Sequence, residues 1–273
     1  MKRASFEELR GSIVGAAGAL PKKLAQAAHY ALAHPDDIAL GTAASIAKAA
    51  QVQPSTLVRL SQHLGYRGFS DFQAVFRSRL KVRAATYEER LEQLESDDAS
   101  QNADAVLIKG FINSARQSLD NLIATLDTSV FSNAVRLLAK SDTIYILARR
   151  RSYSVAAHMA YAFSQLGIKT IMLDSANHID GEQIKLARKT DAAILCSFAP
   201  YAPETLSYAA HLSAHKVPFL AITDSALSPL AGLATHWLEV AESDFSGLRS
   251  LSASMALAMA LPVAVAEQRR LSI

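Results

Sequence analysis

Apolar positions along the chain follow two rhythms. Over residues 21–83 they recur every three to four residues, the period of helices that bury one face. KKLAQAAHYALAH follows Pro21, which a first helical turn tolerates, and sets Leu24, Ala28, Ala31 and Leu32 on one side. His34-Pro35 predicts its end, because the residue before a proline is pushed out of the helical region. Thr42 is placed to cap a short helix AASIAKAA with Ile46 and Ala50 on one face. Gln51-Val52-Gln53 then makes a tight turn, and Pro54 opens a helix PSTLVRLSQHL that stops at Gly65. Two short helices around a three-residue turn form the helix-turn-helix pattern. Leu64, Tyr66, Phe69, Phe72 and Phe76 close this region over a last helix, with Ser70 as its expected cap. At helical spacing these aromatics read as core rather than as platforms for stacked bases.

From residue 128 the rhythm alternates. FSNAVRLLAKS, YSVAAHMAYAFSQLG, EQIKLARKT and PETLSYAAHLSAHK predict helices; TIYILA, KTIMLD, AAILCSF, VPFLAITDS and THWLEVA predict strands. Near-continuous apolar strands between helices imply a parallel sheet covered on both faces, followed by a long C-terminal helix from about Leu248 to Arg270. Such a sheet takes small ligands beyond the carboxyl ends of its strands. Between the two regions, the acid-rich YEERLEQLESDDASQNADAV is either a solvated helix broken near Ser96-Asp97-Asp98 or a linker, and Val106–Leu126 returns to helical spacing. The expected division is 1–83 for an all-α domain, 84–127 for a linker helix and 128–273 for an α/β domain.

Composition adds limits. The 273 residues are 50% hydrophobic and 19% charged, a globular balance, and two domains suit the length. One cysteine, Cys196, excludes an internal disulfide and a zinc finger, and a reducing cytoplasm is expected. MKRASFEELRGSIVG has no apolar stretch of signal-peptide length, and the Ala-rich 253–266 is too short to span a bilayer, so no membrane role is expected. The net charge of +3 is unevenly distributed. Residues 1–83 hold 12 of the 28 Lys and Arg but 5 of the 25 Asp and Glu, a net +7, which leaves −4 for the rest. A basic helical piece on a mildly acidic larger one fits either a nucleic-acid contact or a solvated basic surface.

The second helix of the pair carries the sharpest chemistry. Leu57, Leu60 and Leu64 point inward, which leaves Ser55, Thr56, Arg59, Gln62 and His63 outside, with Gln53 just ahead. Arg59 suits a bidentate guanine contact, or alternatively a salt bridge within the domain. Lys48, Arg67, Arg77 and Arg79 suit phosphates, which give affinity without sequence choice.

AASIAKAAQVQPSTLVRLSQHLGYRGFSDFQ, and above all the run Arg59 to Phe69, resembles the N-terminal domain of the RpiR family of bacterial transcriptional regulators. That family joins a helix-turn-helix to a sugar isomerase (SIS) domain that binds phosphosugars, and residues 128–260 have the matching β-α order; TDSALSPLAGLAT at 223–235 is similar as well. The resemblance implies a three-layer αβα SIS-type sheet behind a helical DNA-binding domain. It implies a dimer or tetramer on pseudo-palindromic double-stranded operator DNA. It also implies control of carbohydrate genes, with repression the expected sense, and no catalytic residue or cofactor. Two departures stand out. The family's G-x-G-x-S turn after the first strand is here Ala148-Arg149-Arg150-Arg151-Ser152, and the S-x-S-G-x-T loop after the third is Ser197-Phe198-Ala199-Pro200-Tyr201-Ala202-Pro203-Glu204-Thr205. Either Arg149, Arg150 and Arg151, with Ser152, Ser197 and Thr205, hold a small anionic sugar-derived effector through guanidinium forks, or the pocket serves another molecule or none and the domain mainly dimerises.

An isomerase with an accessory helical domain is the alternative, with His178 and Glu182 as a possible acid-base pair. His211 and His215 have the i, i+4 spacing of metal ligands, but no nearby residues complete a set, so no metal is expected. Cys196, inside a strand, reads as inert.

Overall fold

A computed structural model describes residues 6–16, 20–84, 103–174, 179–245 and 247–271; the break expected near Ser96-Asp97-Asp98 and the acid-rich run from 87 to 102 lie outside them. The chain divides into two compact units, residues 1–108 and 109–273.

In the first unit α1 (Phe6–Ala16), α2 (Lys22–Ala33), α3 (Pro35–Leu40), α4 (Ala43–Ala49), α5 (Pro54–His63) and α6 (Phe69–Ala84) follow one another. His34-Pro35 does end α2, yet Pro35 at once starts α3, a turn of helix the apolar spacing had not indicated. Proline presets the first helical residue, Asp36 and Asp37 sit at the positive end, and burial of Ile38 and Ala39 fixes the rest. Thr42 and Ser45 form a reciprocal capping box at the start of α4. The turn after α4 is a Schellman closure: Gln51 takes φ 54°, and Val52 N–H reaches the Ala47 carbonyl at 2.9 Å. Gly65, at φ 83°, closes α5 in the same way, with Tyr66 N–H on the Ser61 carbonyl at 2.9 Å. Ser70 does not cap α6, which begins one residue before it at Phe69. Phe72 and Phe76 are fully buried, with ring centres 4.9 Å apart, and Tyr66 meets Phe72 edge-on at 5.7 Å.

Helix α7 (Ala103–Thr125) begins before residue 109, and in the second unit it is followed by α8 (Thr128–Ala139), which Asp127 caps through the N–H groups of Ser129 and Val130. The sheet among the described residues is five-stranded and wholly parallel, in the order β2-β1-β3-β4-β5: β1 is Ile144–Ala148, β2 Thr170–Leu173, β3 Ala192–Cys196, β4 Phe219–Thr223 and β5 His236–Glu239. Side chains alternate across it. Ile144, Ile146, Ile194, Cys196 and Ile222 share a core with α8, α9 (Tyr153–Gln165) and α12 (Ser252–Arg270). Tyr145, Leu147, Leu195 and Phe219 share the other with α10 (Asp180–Lys185) and α11 (Pro203–Ala214).

Two predicted elements come out shorter. EQIKLARKT yields only the six residues of α10, because Asp191 accepts the Arg188 N–H at 2.8 Å and turns the chain into β3. The C-terminal helix starts at Ser252 rather than Leu248, which instead pairs in a small antiparallel hairpin, β6 (Asp244–Phe245) with β7 (Leu248–Arg249). Among the described residues no single helix is long and apolar enough to cross a membrane.

Two substitutions check this account of the first unit. Phe72→Ala should remove about 3–5 kcal/mol from its stability in urea unfolding, as truncation of a filled core site does. Thr42→Ala should remove about 1 kcal/mol through loss of the cap.

Candidate functional site

Helix α5 buries Leu57, Leu60 and Ser61 and leaves Leu64 half-buried. The other side exposes Gln53, Ser55, Arg59, Gln62 and His63, while Thr56 is half-buried at the first turn. Val58, which sequence reasoning passed over, is exposed beside Arg59. Among the described residues no acidic side chain pairs with Arg59, so the alternative of a salt bridge within the domain has no partner in this geometry. Lys48 and Arg67 are also exposed. Arg77 is exposed as well, with its Nε donating to the Ala39 carbonyl at 2.9 Å, whereas Arg79 binds Asp36 at 2.9 Å and lies over the Phe6 ring. Arg79 therefore fastens α6 to α3 and α1 instead of facing outward. Behind the turn, Gln26 donates to the Ala50 carbonyl at 2.9 Å and Lys23 to that of Gln51 at 3.3 Å, so α2 holds the angle between α4 and α5.

A second site lies in the α/β unit. The strand order reverses between β1 and β3, the switch point where open parallel sheets leave a crevice past their carboxyl ends. The loop 149–152 leaves β1 there, beside the loop 197–203 that leaves β3. Ser152, Ser197 and Thr205 are all buried. Ser197 Oγ accepts the Ala202 N–H at 3.4 Å, while the Thr205 hydroxyl has no partner among the described residues. The three arginines part company. Arg149 turns toward β2, where it donates to the Leu173 carbonyl and pairs with the buried Asp180; each charge makes the other's burial tolerable. Arg151 folds inward over the Phe198 ring and toward the Ser250 carbonyl, and burial together with Arg249 pulls its pKa down. Arg150 stays exposed, with a 3.4 Å contact to the Pro200 carbonyl and a left-handed φ of 57°. For a residue with a Cβ that conformation costs about 1–2 kcal/mol.

Residues far apart in sequence complete the crevice wall. Asp224 accepts the Tyr201 hydroxyl at 2.8 Å and the Ala199 N–H at 3.1 Å, and Arg249 donates to the Ala199 carbonyl at 3.0 Å. Thr223 Oγ1 lies 2.9 Å from the Ser197 carbonyl and 2.8 Å from Ser228 Oγ; its one proton goes to the carbonyl, so it accepts from Ser228. Glu242 caps Ser254 N–H of α12 at 2.8 Å with one oxygen. The sequence signal for Asp224 and Ser228 was the TDSALSPLAGLAT run. Cys196 is buried in β3, and burial pushes its thiol up to about 12. Glu182 is exposed and bound to Lys185 at 2.8 Å, and His178 lies outside the described residues. The His211 and His215 rings stack 4.1 Å apart, and no group of His, Cys, Asp and Glu among the described residues could hold a metal ion.

Comparison with known proteins gives both units a place. Residues 15–83 match the helix-turn-helix domain of the rpiR family, and residues 137–265 match the SIS domain. An HTH-type transcriptional regulator of Haemophilus influenzae is 24% identical over 84% of this chain and 79% of its own length. The HTH-type transcriptional regulator GlvR of Bacillus subtilis is 24% identical over 70% of this chain and 67% of its own. Among solved structures, Vibrio vulnificus NanR complexed with ManNAc-6P shares the fold over 97% of this chain and 92% of its own, at 20% identity and a TM-score of 0.55. The sugar isomerase domain of an RpiR transcription factor from Sphaerobacter thermophilus shares it over 59% of this chain and 89% of its own, at 23% identity and a TM-score of 0.56. A helix-turn-helix pair followed by a parallel sheet with its crevice at the strand ends, with both family matches in that order, makes this chain a member of the RpiR family of transcriptional regulators, with an N-terminal helix-turn-helix and a C-terminal SIS domain.

Proposed function

We propose that this regulator inserts α5 into the major groove of a pseudo-palindromic operator and represses carbohydrate-metabolism genes from the cytoplasm. In this reading its SIS unit holds a small anionic, sugar-derived effector. The observation that carries the DNA half is the outer face of α5, where Ser55, Arg59, Gln62 and His63 are exposed opposite a buried leucine face and Arg59 has no ion pair among the described residues. Arg59 is the base reader, with its fork suited to the O6 and N7 of a guanine. Gln53, Ser55, Thr56, Lys48 and Arg67 line the approach to phosphates.

The effector half is supported by the buried hydroxyls of Ser152, Ser197 and Thr205 at the switch point and by the sugar phosphate in the NanR complex. A single helix reads few base pairs, so copies of the chain pair. The exposed apolar side chains of α7 (Phe111, Ile112, Leu119, Ile123) and of α12 (Met259, Val263) are the surfaces proposed for that pairing. The effector acts through its different affinities for the DNA-competent and DNA-incompetent arrangements of the oligomer. Catalysis is not part of the proposal, because the carboxylate considered for it, Glu182, is solvent-exposed and held by Lys185.

The test uses a DNA site selected from a random library by the full-length protein, with binding read by fluorescence anisotropy. Arg59→Ala should weaken the selected site by about 1–3 kcal/mol while leaving non-specific binding and the fold intact. Unchanged affinity for the selected site would remove α5 from the reading role.

A further inference from the structure

Of three arginines in a row beyond β1, two have their charge engaged inside the unit, and the third holds a backbone conformation that arginine disfavours. Three residues other than glycine have positive φ among the described residues: Gln51, Arg150 and Lys216. Gln51 and Lys216 each stand just past a helix end, where the 6→1 bonds from Val52 N–H to Ala47 and from Val217 N–H to Leu212 close a Schellman turn and make the left-handed residue the usual solution. Arg150 has no such reason. It follows a strand, and it holds a left-handed φ of 57° although it carries a long charged side chain. Strain held at the mouth of a crevice points to a role for the residue that carries it.

The side chain supplies that role. Arg149 is neutralised by Asp180, and Arg151 lies folded over Phe198 among Arg249, Glu242 and Asp224. Arg150 is exposed, pairs with no carboxylate among the described residues, and reaches across only as far as the Pro200 carbonyl on the neighbouring loop. Its guanidinium therefore stands between the two loops of the switch point with donors left over.

We propose that Arg150 is the specificity-determining residue of the crevice: it anchors the anionic group of the effector by a bidentate guanidinium contact between the loops that follow β1 and β3. This rests on the effector-binding reading above and gives it a residue and a chemistry. A planar fork accepts a phosphate or a carboxylate equally in geometry, so the shared requirement is a sugar with an anionic end.

The experiment is thermal shift and titration calorimetry on the full chain with hexose and hexosamine 6-phosphates, with hexonates and hexuronates, and with sorbitol as the neutral control. Wild-type protein should be stabilised by members of one anionic class and not by sorbitol, which also tells phosphate from carboxylate. In Arg150→Gly the affinity for that ligand should fall roughly ten- to a hundred-fold, while the melting temperature without ligand stays level or rises, because the backbone strain is gone. Arg150→Lys should keep part of the affinity. Full affinity in Arg150→Gly overturns the assignment, and so does a lower melting temperature without ligand, which would make Arg150 a structural residue. No response of the wild type to either anionic class overturns instead the anionic-effector reading on which the assignment stands.

Discussion

Burial of the parallel sheet on both faces is the constraint from which the rest of the larger unit follows. With Ile146, Ile194 and Ile222 under α8, α9 and α12, and Leu147, Leu195 and Phe219 under α10 and α11, the faces of these strands are given over to packing. Polar chemistry is pushed to the strand ends, where loops and helix N-termini meet solvent. The order β2-β1-β3-β4-β5 sends the chain after β1 to α9 on one face and the chain after β3 to α11 on the other, the switch point at which open parallel sheets take ligands.

At these strand ends side-chain bonds hold the loops in place. Asp224, Tyr201 and Arg249 hold the loop after β3, and Arg149 with Asp180 ties the end of β1 to the start of α10. Buried charges of this kind are worth little as net stability, because desolvation offsets most of the attraction, but each partner makes the alternative positions of the other costly. Their effect is to fix loop geometry.

In the helical unit, side-chain bonds likewise fix how α5 is held. Gln26 and Lys23 satisfy the carbonyls left open at the end of α4, and Gln51 accepts a left-handed conformation to make the turn. Gln73 donates to the carbonyls of Ile38 and Gly41, and Arg79 to Asp36, so α6 braces α3. None of these side chains needs to touch DNA for them to decide how α5 is presented.

Much of this was legible along the chain, because it depends on neighbours in sequence. Proline and glycine mark where α5 begins and ends, apolar runs mark the five strands, and leucine spacing separates the inner face of α5 from Arg59. Other features were not, and α3, Ser70 and the start of α12 show why: each depends on a cap or on burial against an element distant in sequence. The charged residues show it most clearly. Arg79 carries the same charge as the exposed Arg67 and Arg77, and Arg149, Arg150 and Arg151 are identical residues. Which of them faces solvent depends on carboxylates and carbonyls far along the chain, such as Asp36 for Arg79 and Asp180 for Arg149. Sequence by itself determined the helix-turn-helix, the alternation of strands and helices and the ends of the strands, since backbone propensity and hydrophobic period are local properties. Only the tertiary structure decided which arginine remains available, since pairing of charge is settled across space.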